Sequence, residues 1–62
     1  MQVGSLVKRK YPNNDQQQRE IGIIVGEKEN RFFPRHNDYE VLWNGKYLEF
    51  VEFPNRELEE IR

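Results

Sequence analysis

Cysteine, alanine and threonine are absent from this chain of 62 residues, and serine and histidine occur once each, as Ser5 and His36. The lack of cysteine excludes disulfide bonds and thiolate metal ligands, which commonly stabilise very small domains. With so few nucleophiles and bases, most catalytic triads cannot be assembled. The sequence therefore predicts a protein that is not an enzyme and that uses no metal and no other cofactor.

Long apolar runs are also lacking, because no segment approaches the roughly 18 consecutive apolar residues of a membrane-spanning helix. The N-terminus does not have the apolar stretch of a secretory signal peptide. We therefore expect a cytoplasmic protein without a membrane partner.

The residues that are present predict one small β-rich domain over residues 1–62. Leu, Ile, Val and Phe make up 17 of the 62 residues, which is enough for a folded chain. A chain of this length buries only about 60% of the surface that its unfolded form exposes, so the fold is expected to be marginally stable. Without alanine, and with many β-branched and aromatic residues, the composition favours strands over helices.

Local patterns predict five strands and one short turn. The predicted elements are a first strand at 3–11, a polar loop at 12–19, a central strand at 20–27, a loop at 28–37 and a hairpin at 39–50. A single 3₁₀-like turn with Asn55 as its N-cap is predicted next, followed by a short last strand. Leu58 and Ile61 are expected to close the open end of the core.

The Asn44-Gly45 pair is the strongest local signal, because it lies between two alternating apolar runs and favours a two-residue type I′ hairpin turn. Such a turn pairs Trp43 with Lys46 and Tyr39 with Phe50. Tyr47 is then expected on the face away from the core, where it could form a patch with other aromatic residues. The core candidates of this hairpin are Tyr39, Val41, Leu48 and Phe50, with Trp43 at the end of their face.

This order of elements resembles the Src-homology-3-like small β-barrel. The segments that carry the resemblance are Gly4-Ser5-Leu6-Val7, Gly22-Ile23-Ile24-Val25, Tyr39-Glu40-Val41-Leu42-Trp43 and Leu58-Glu59-Glu60-Ile61. The same order of elements is typical of KOW and Tudor modules, of the E subunit of photosystem I and of small proteins of tailed phages of marine bacteria. The phage proteins are the most similar in length. The resemblance implies an all-β fold, a five-stranded barrel with one 3₁₀ turn before the last strand.

The resemblance also implies several functions, since this fold hosts unrelated activities. A phage origin implies a virion component or an adaptor that acts on host machinery, located in the virion or in the host cytoplasm. Similarity to KOW modules implies nucleic-acid binding in transcription or translation. Similarity to the E subunit implies docking of an acidic electron carrier.

The Phe32-Phe33-Pro34-Arg35 segment is the main candidate for protein binding. Two adjacent aromatic residues in a strand cannot both point inward, and aromatic residues and arginine are enriched in interface hot spots. The alternative is that both rings pack over the end of the barrel. The predicted partner-binding residues are Phe32, Phe33, Arg35 and Tyr47.

A basic patch is the candidate for nucleic-acid binding, and it consists of Lys8, Arg9, Lys10 and Arg31. Residues 1–35 carry a net charge of +3 and residues 36–62 a net charge of −4, so the chain as a whole carries −1. Nucleic-acid binders usually have a basic excess, which favours the alternative that these lysines only protect an edge strand from pairing. The uneven charge also permits docking to a charged partner or self-association.

The remaining polar residues are expected to be solvated. His36 and Asp38 form a His-x-Asp pair, but a metal site needs about three or four ligands and no further His or Cys is present. Four glutamates could supply a general acid and a general base, namely Glu20, Glu27, Glu49 and Glu52. Carboxylates at strand ends are common in small barrels, so these residues are expected to be solvated.

Overall fold

A computed structural model describes residues 1–62 as one antiparallel five-stranded sheet with two single-turn helices. The elements are β1 (Leu6–Arg9), α1 (Asp15–Arg19), β2 (Gly22–Glu29), β3 (Asn37–Trp43), β4 (Tyr47–Val51), α2 (Pro54–Glu57) and β5 (Leu58–Glu60). The strand order is β4-β3-β2-β1-β5, so β4 and β5 form the two edges. The predicted all-β class is confirmed, but the sheet is not closed into a barrel. Neither helix is long and apolar enough to cross a membrane.

The β3–β4 hairpin contains the predicted turn but not the predicted register. Asn44 and Gly45 have positive φ angles of 52° and 67°, and the Lys46 N–H donates to the Trp43 carbonyl at 2.9 Å. The first pair of the hairpin is Trp43 with Tyr47, because the loop contains Lys46 in addition to the two predicted residues Asn44 and Gly45. The predicted pairing of Trp43 with Lys46 is therefore wrong. A slip of one residue moves every side chain of β4 to the other face of the sheet.

The core lies on one face of the sheet, which we call the inner face. Its buried residues are Val7, Ile24, Tyr39, Val41, Trp43, Val51 and Leu58. Leu48 and Phe50 were predicted in the core and instead lie more than half exposed on the opposite, outer face. Val51 takes their place because of the shifted register. Leu58 is buried as predicted, whereas Ile61 is only half-buried.

Gly22 allows the indole of Trp43 to lie directly on the sheet. The two residues are paired across β2 and β3. A Cβ atom at position 22 would lie 2.9 Å from Trp43 Cε3 and would overlap the side chain of Val41. A β-bulge between Ile24 and Gly26 follows in the same strand. Gly22 thus permits the close approach of Trp43, and Gly26 lies at the bulge that bends β2.

Two short helices differ from the predicted loop and turn. Residues 12–19 were predicted as a loop, but they contain α1, whose Asn14 side chain accepts a hydrogen bond from the Gln17 N–H at 2.8 Å. This cap satisfies a free donor of the single turn. The predicted turn before the last strand is present as α2, but its N-cap is Phe53 with a φ of 54°, and not Asn55. Pro54 is the first residue of α2, and at this position the absence of an N–H group costs no hydrogen bond of the helix.

Candidate functional site

The segment between β2 and β3, residues 30–36, forms a loop organised by one buried side chain; we call it the aromatic loop. The Asn30 Oδ1 atom accepts hydrogen bonds from the N–H groups of Phe32 and Phe33 at 2.9 and 3.0 Å. Its Nδ2 atom donates to both carboxylate oxygens of the buried Asp38, at 3.1 and 2.9 Å. The Asn30 N–H also donates to the His36 carbonyl at 2.8 Å. These bonds close the loop at its base and hold its backbone in one conformation.

The two phenylalanines of the aromatic loop have different surroundings. Phe33 meets the rings of His36 and Phe53 edge to face, with centroid distances of 6.0 and 5.7 Å, and His36 and Phe53 are 5.8 Å apart. Phe32 has no aromatic neighbour, and 78% of it is exposed. One ring therefore anchors the loop to the segment before α2, while the other faces solvent.

A groove lined by cationic and amide side chains lies beside this aromatic cluster, between the loop and α2. The lining residues are Arg35, His36, Asn37, Tyr39, Phe53, Pro54, Asn55 and Arg56. No carboxylate lines it, although the C-terminal half of the chain is acidic. Neither Arg35 nor Arg56 takes part in an ion pair. The groove is therefore suited to a negatively charged group.

Phe32, Phe33 and Arg35 of this region are predicted from the sequence, whereas Asn30, Phe53 and Arg56 are not. Phe53 and Arg56 follow the aromatic loop by about twenty residues, and no spacing rule connects the two segments. A weak signal was available, since both segments contain a Phe-Pro pair, at Phe33-Pro34 and Phe53-Pro54.

The four residues of the predicted basic patch do not form one surface. Lys8 lies 3.8 Å from the Glu59 carboxylate, and Lys10 donates to the Asn55 carbonyl at 2.7 Å. Arg31 belongs to the aromatic loop. Arg9 points to the inner face of the sheet, because alternate residues of a strand point to opposite faces.

Arg9 is the centre of a network between β1, β3 and β4. Its guanidinium carbon lies 4.2 Å from the ring centroid of Trp43. Its Nη1 donates to Glu49 Oε1 at 2.9 Å, and its Nε lies 3.4 Å from Oε1 of Glu20, which is only 1% exposed. Burial lowers the pKa of Arg9, but hydrogen bonds to Tyr47 and Glu49 outweigh this effect and raise it. Arg9 thus carries the positive charge that two carboxylates need.

Tyr47 is a member of this network, and it is not on the face where the predicted hairpin placed it. Its hydroxyl donates to Glu20 Oε2 and accepts a hydrogen bond from Arg9 Nη2 at 3.3 Å. The hydrogen bond to Glu20 raises the pKa of Tyr47, and burial adds to the effect, so the hydroxyl keeps its proton. Tyr47 pairs with Trp43 at the end of β3 that lies farthest from the aromatic loop. The structure therefore brings Phe32, Phe33 and Arg35 together but leaves Tyr47 at the other end of the sheet.

Three further titratable residues, Glu27, His36 and Asp38, are also engaged within the protein, whereas Glu52 takes part in no ion pair. The Glu27 carboxylate accepts a hydrogen bond from the Asn37 amide. The His36 ring lies against Phe33 and Phe53, whereas Asp38 is bound by Asn30. No three residues among His, Cys, Asp and Glu cluster in a metal-binding arrangement. The hydrogen bonds and ion pairs of this region thus organise the fold, whereas the side chains of Arg35 and Arg56 in the groove make no ion pair.

Replacement of Asn30 with alanine is expected to lower the free energy of unfolding by about 1–3 kcal/mol, because the buried Asp38 then loses both of its hydrogen bonds. Urea unfolding followed by circular dichroism measures this loss. Asn13→Ala is the matched control, because Asn13 is exposed and its side chain makes no hydrogen bond; it should change stability by less than ~0.5 kcal/mol. Equal midpoints for the two variants would show that Asn30 does not hold the loop.

Comparison with known proteins finds no match for this chain among family models, curated proteins or solved structures. The resemblance to Src-homology-3-like barrels remains an expectation drawn from the sequence. The function is therefore inferred from the geometry of the aromatic loop and its groove.

Proposed function

We propose that this protein is a non-catalytic binding module that docks a segment of another protein through the aromatic loop. The observation that carries the proposal is the exposure of Phe32 at 78%, on a loop whose backbone is held by the buried Asn30. Covering such a ring on binding stabilises a complex, because burial of apolar surface is a main favourable contribution to protein association.

The rigidity of the loop supports binding. Aromatic anchors contribute most when they are ordered before binding, because less conformational entropy is then lost in the complex. The hydrogen bonds of Asn30 and the edge-to-face contacts of Phe33 supply this order. Phe32 then serves as the anchor and Phe33 as its support.

The groove beside the loop defines the chemistry of the partner. Arg35 and Arg56 lack ion pairs, and no carboxylate lines the groove. Arginine forms bidentate hydrogen bonds with carboxylates, which adds orientation to charge attraction. The partner segment therefore carries an apolar side chain that covers Phe32 and an acidic side chain that enters the groove.

A nucleic-acid-binding module of the KOW type is the alternative proposal, with aromatic side chains on bases and with five basic residues on phosphates, namely Lys8, Arg9, Lys10, Arg31 and Arg35. It has less support, because Arg9 is bound to Glu20 and Glu49 on the inner face, and Lys8 lies close to Glu59. The net charge of −1 also disfavours attraction to a polyanion.

We infer that the sheet is an open relative of the Src-homology-3-like barrel and that the protein is phage-encoded, acting as an adaptor in the host cytoplasm or as an accessory protein of the virion. The support is the order of the strands and the short turn before the last strand, together with the resemblance carried by the quoted segments.

Selection from a random-peptide library tests the proposed function. We expect peptides that combine acidic and apolar residues to be enriched on the wild-type protein. Phe32→Ala should weaken their binding at least about tenfold, a loss of ~1.4 kcal/mol, without changing the melting temperature. Isothermal titration calorimetry of the selected peptides measures the change.

Tyr11→Ala is the matched control, because Tyr11 is as exposed as Phe32 but lies outside the aromatic loop. It should leave peptide affinity unchanged. Loss of binding in both variants, or in neither, would contradict the proposed site. Competition by a single-stranded oligonucleotide that disappears steeply with added salt would favour the nucleic-acid alternative.

A further inference from the structure

The groove between the aromatic loop and α2 has free hydrogen-bond donors on both of its walls. Arg35 and His36 line it from the aromatic loop, and Asn55 and Arg56 line it from α2. None of these four side chains takes part in an ion pair or a hydrogen bond within the chain. Their guanidinium, imidazole and amide N–H groups are therefore free to bind a ligand.

The aromatic cluster beside the groove joins its two walls. Phe33 and His36 of the loop both meet the ring of Phe53, which precedes α2, at centroid distances of 5.7 and 5.8 Å. Tyr39 also lines the groove; it is buried, and its hydroxyl donates to the Met1 carbonyl at 2.8 Å. The groove thus has a volume of about 250 Å³ and walls that the fold itself holds in place.

The acidic residues close to the groove do not neutralise its arginines. The Glu27 carboxylate accepts a hydrogen bond from the Asn37 amide, and Glu60 lies 3.2 Å from the amino group of Met1. Glu57 follows α2 residue 56 directly in the sequence, but it lines a different cavity. The groove therefore keeps the positive charge of both of its arginines.

The number and the charge of the donors favour a phosphate group over a carboxylate. A carboxylate carries one negative charge, and a single guanidinium can bind both of its oxygens. It would leave the second arginine and the imidazole without a partner. A phosphate monoester carries close to two negative charges at neutral pH and has three acceptor oxygens. It therefore matches donors that approach from two opposite walls.

We propose that the groove is a phosphate-binding site that takes a phosphorylated side chain of the partner segment. The inference rests on the proposed function, in which the same segment covers Phe32. Arg35 and His36 bind the phosphate oxygens from the aromatic loop, and Asn55 and Arg56 bind them from α2. A nucleic acid fits less well, because each phosphate of its backbone carries only one negative charge and the protein has a net charge of −1.

Titration with inorganic phosphate, followed by nuclear magnetic resonance, tests the groove without any peptide. At constant ionic strength, phosphate should shift the signals of residues 35–37 and 53–56, and acetate should shift them much less. Arg56→Gln should weaken phosphate binding at least about tenfold, because a charge-assisted pair is lost. Arg19→Gln is the matched control, since Arg19 is exposed and unpaired but lies on α1, and it should leave binding unchanged.

Three degenerate peptide pools test the phosphorylated partner. The pools have random flanks and differ only in one fixed central residue, which is phosphoserine, glutamate or serine. The immobilised protein should retain the phosphoserine pool at least about tenfold more than the serine pool, and also more than the glutamate pool. Arg56→Gln should remove this preference. Phe32→Ala should lower the retention of all three pools but keep the preference.

These readouts distinguish failure of the inference from failure of the proposed function. Retention that does not change in Phe32→Ala would contradict docking through the aromatic loop. A glutamate pool retained as well as the phosphoserine pool would overturn the phosphate site and leave a carboxylate site. If Arg56→Gln does not keep the circular dichroism of the wild type, Arg35→Gln should give the same results in its place.

Two further outcomes would also overturn the proposal. Equal losses of phosphate binding in Arg56→Gln and in Arg19→Gln would indicate attraction to the overall charge without a defined site. A single-stranded oligonucleotide that shifts the groove signals at lower concentration than the phosphoserine pool would assign the groove to a nucleic acid.

Discussion

Replacement of Trp43 with alanine is expected to remove a large part of the free energy of folding and to lower the melting temperature strongly. Trp43 is 0% exposed, lies against Gly22 and Val41, and supports the guanidinium of Arg9. A buried tryptophan replaced by alanine costs about 3–5 kcal/mol. A domain of 62 residues is stabilised by only about 3–9 kcal/mol in total. Far-ultraviolet circular dichroism during thermal unfolding measures the loss, since the fluorescent residue itself is removed.

Leu48→Ala is the informative control for Trp43→Ala. The two-residue turn expected from the sequence places Leu48 in the core, whereas the observed register leaves it 57% exposed. This variant should therefore change stability by less than ~0.5 kcal/mol. A loss comparable to that of Trp43→Ala would mean that the hairpin adopts the two-residue register after all.

The second large effect is expected for Arg9→Met. Methionine keeps an apolar stem over Trp43 but removes the only cation near Glu20 and Glu49. Removing one partner of a buried ion pair costs about 3–5 kcal/mol, because the remaining charge is left uncompensated in the interior. Urea unfolding at neutral pH measures this loss.

A double-mutant cycle separates the ion pair from other effects of the Arg9 substitution. Glu20→Gln removes the buried charge and keeps a side chain of similar shape, and the double variant lacks both charges. We expect the double variant to be more stable than Arg9→Met alone, with a coupling of at least ~1 kcal/mol between the two positions. Strictly additive losses would show that Arg9 acts through its packing on Trp43 and not through Glu20. Lys8→Met is the control on the neighbouring position, whose exposed ion pair is worth little.

The sequence by itself determined the β-rich class, the five strand segments and the turn at Asn44 and Gly45. These features depend on local chemistry, namely β-branched side chains and two residues that tolerate a positive φ. The surroundings of Phe32 and Phe33 were open between partner contact and packing of both rings over the end of the barrel, and the tertiary structure decided between them: Phe32 is exposed, whereas Phe33 packs against Phe53.

Only the tertiary structure decided the register of β4 and the orientation of the polar residues. Trp43 lies on Gly22 in the neighbouring strand, which assigns the faces of β3, and β4 accepts an extra loop residue so that Val51 reaches the core. Arg9 lies between Lys8 and Lys10, so the sequence does not distinguish its role from that of its basic neighbours. Its partners Glu20 and Glu49 are 11 and 40 residues away in the sequence.

The groove of the aromatic loop likewise depends on Phe53 and Arg56, which come from a distant segment. Local preferences act within a few residues, whereas the register, the ion pairs and the groove are set by contacts between strands and loops that are remote in sequence. For this reason the fold class could be derived from the sequence, and the complete site could be derived only from the structure.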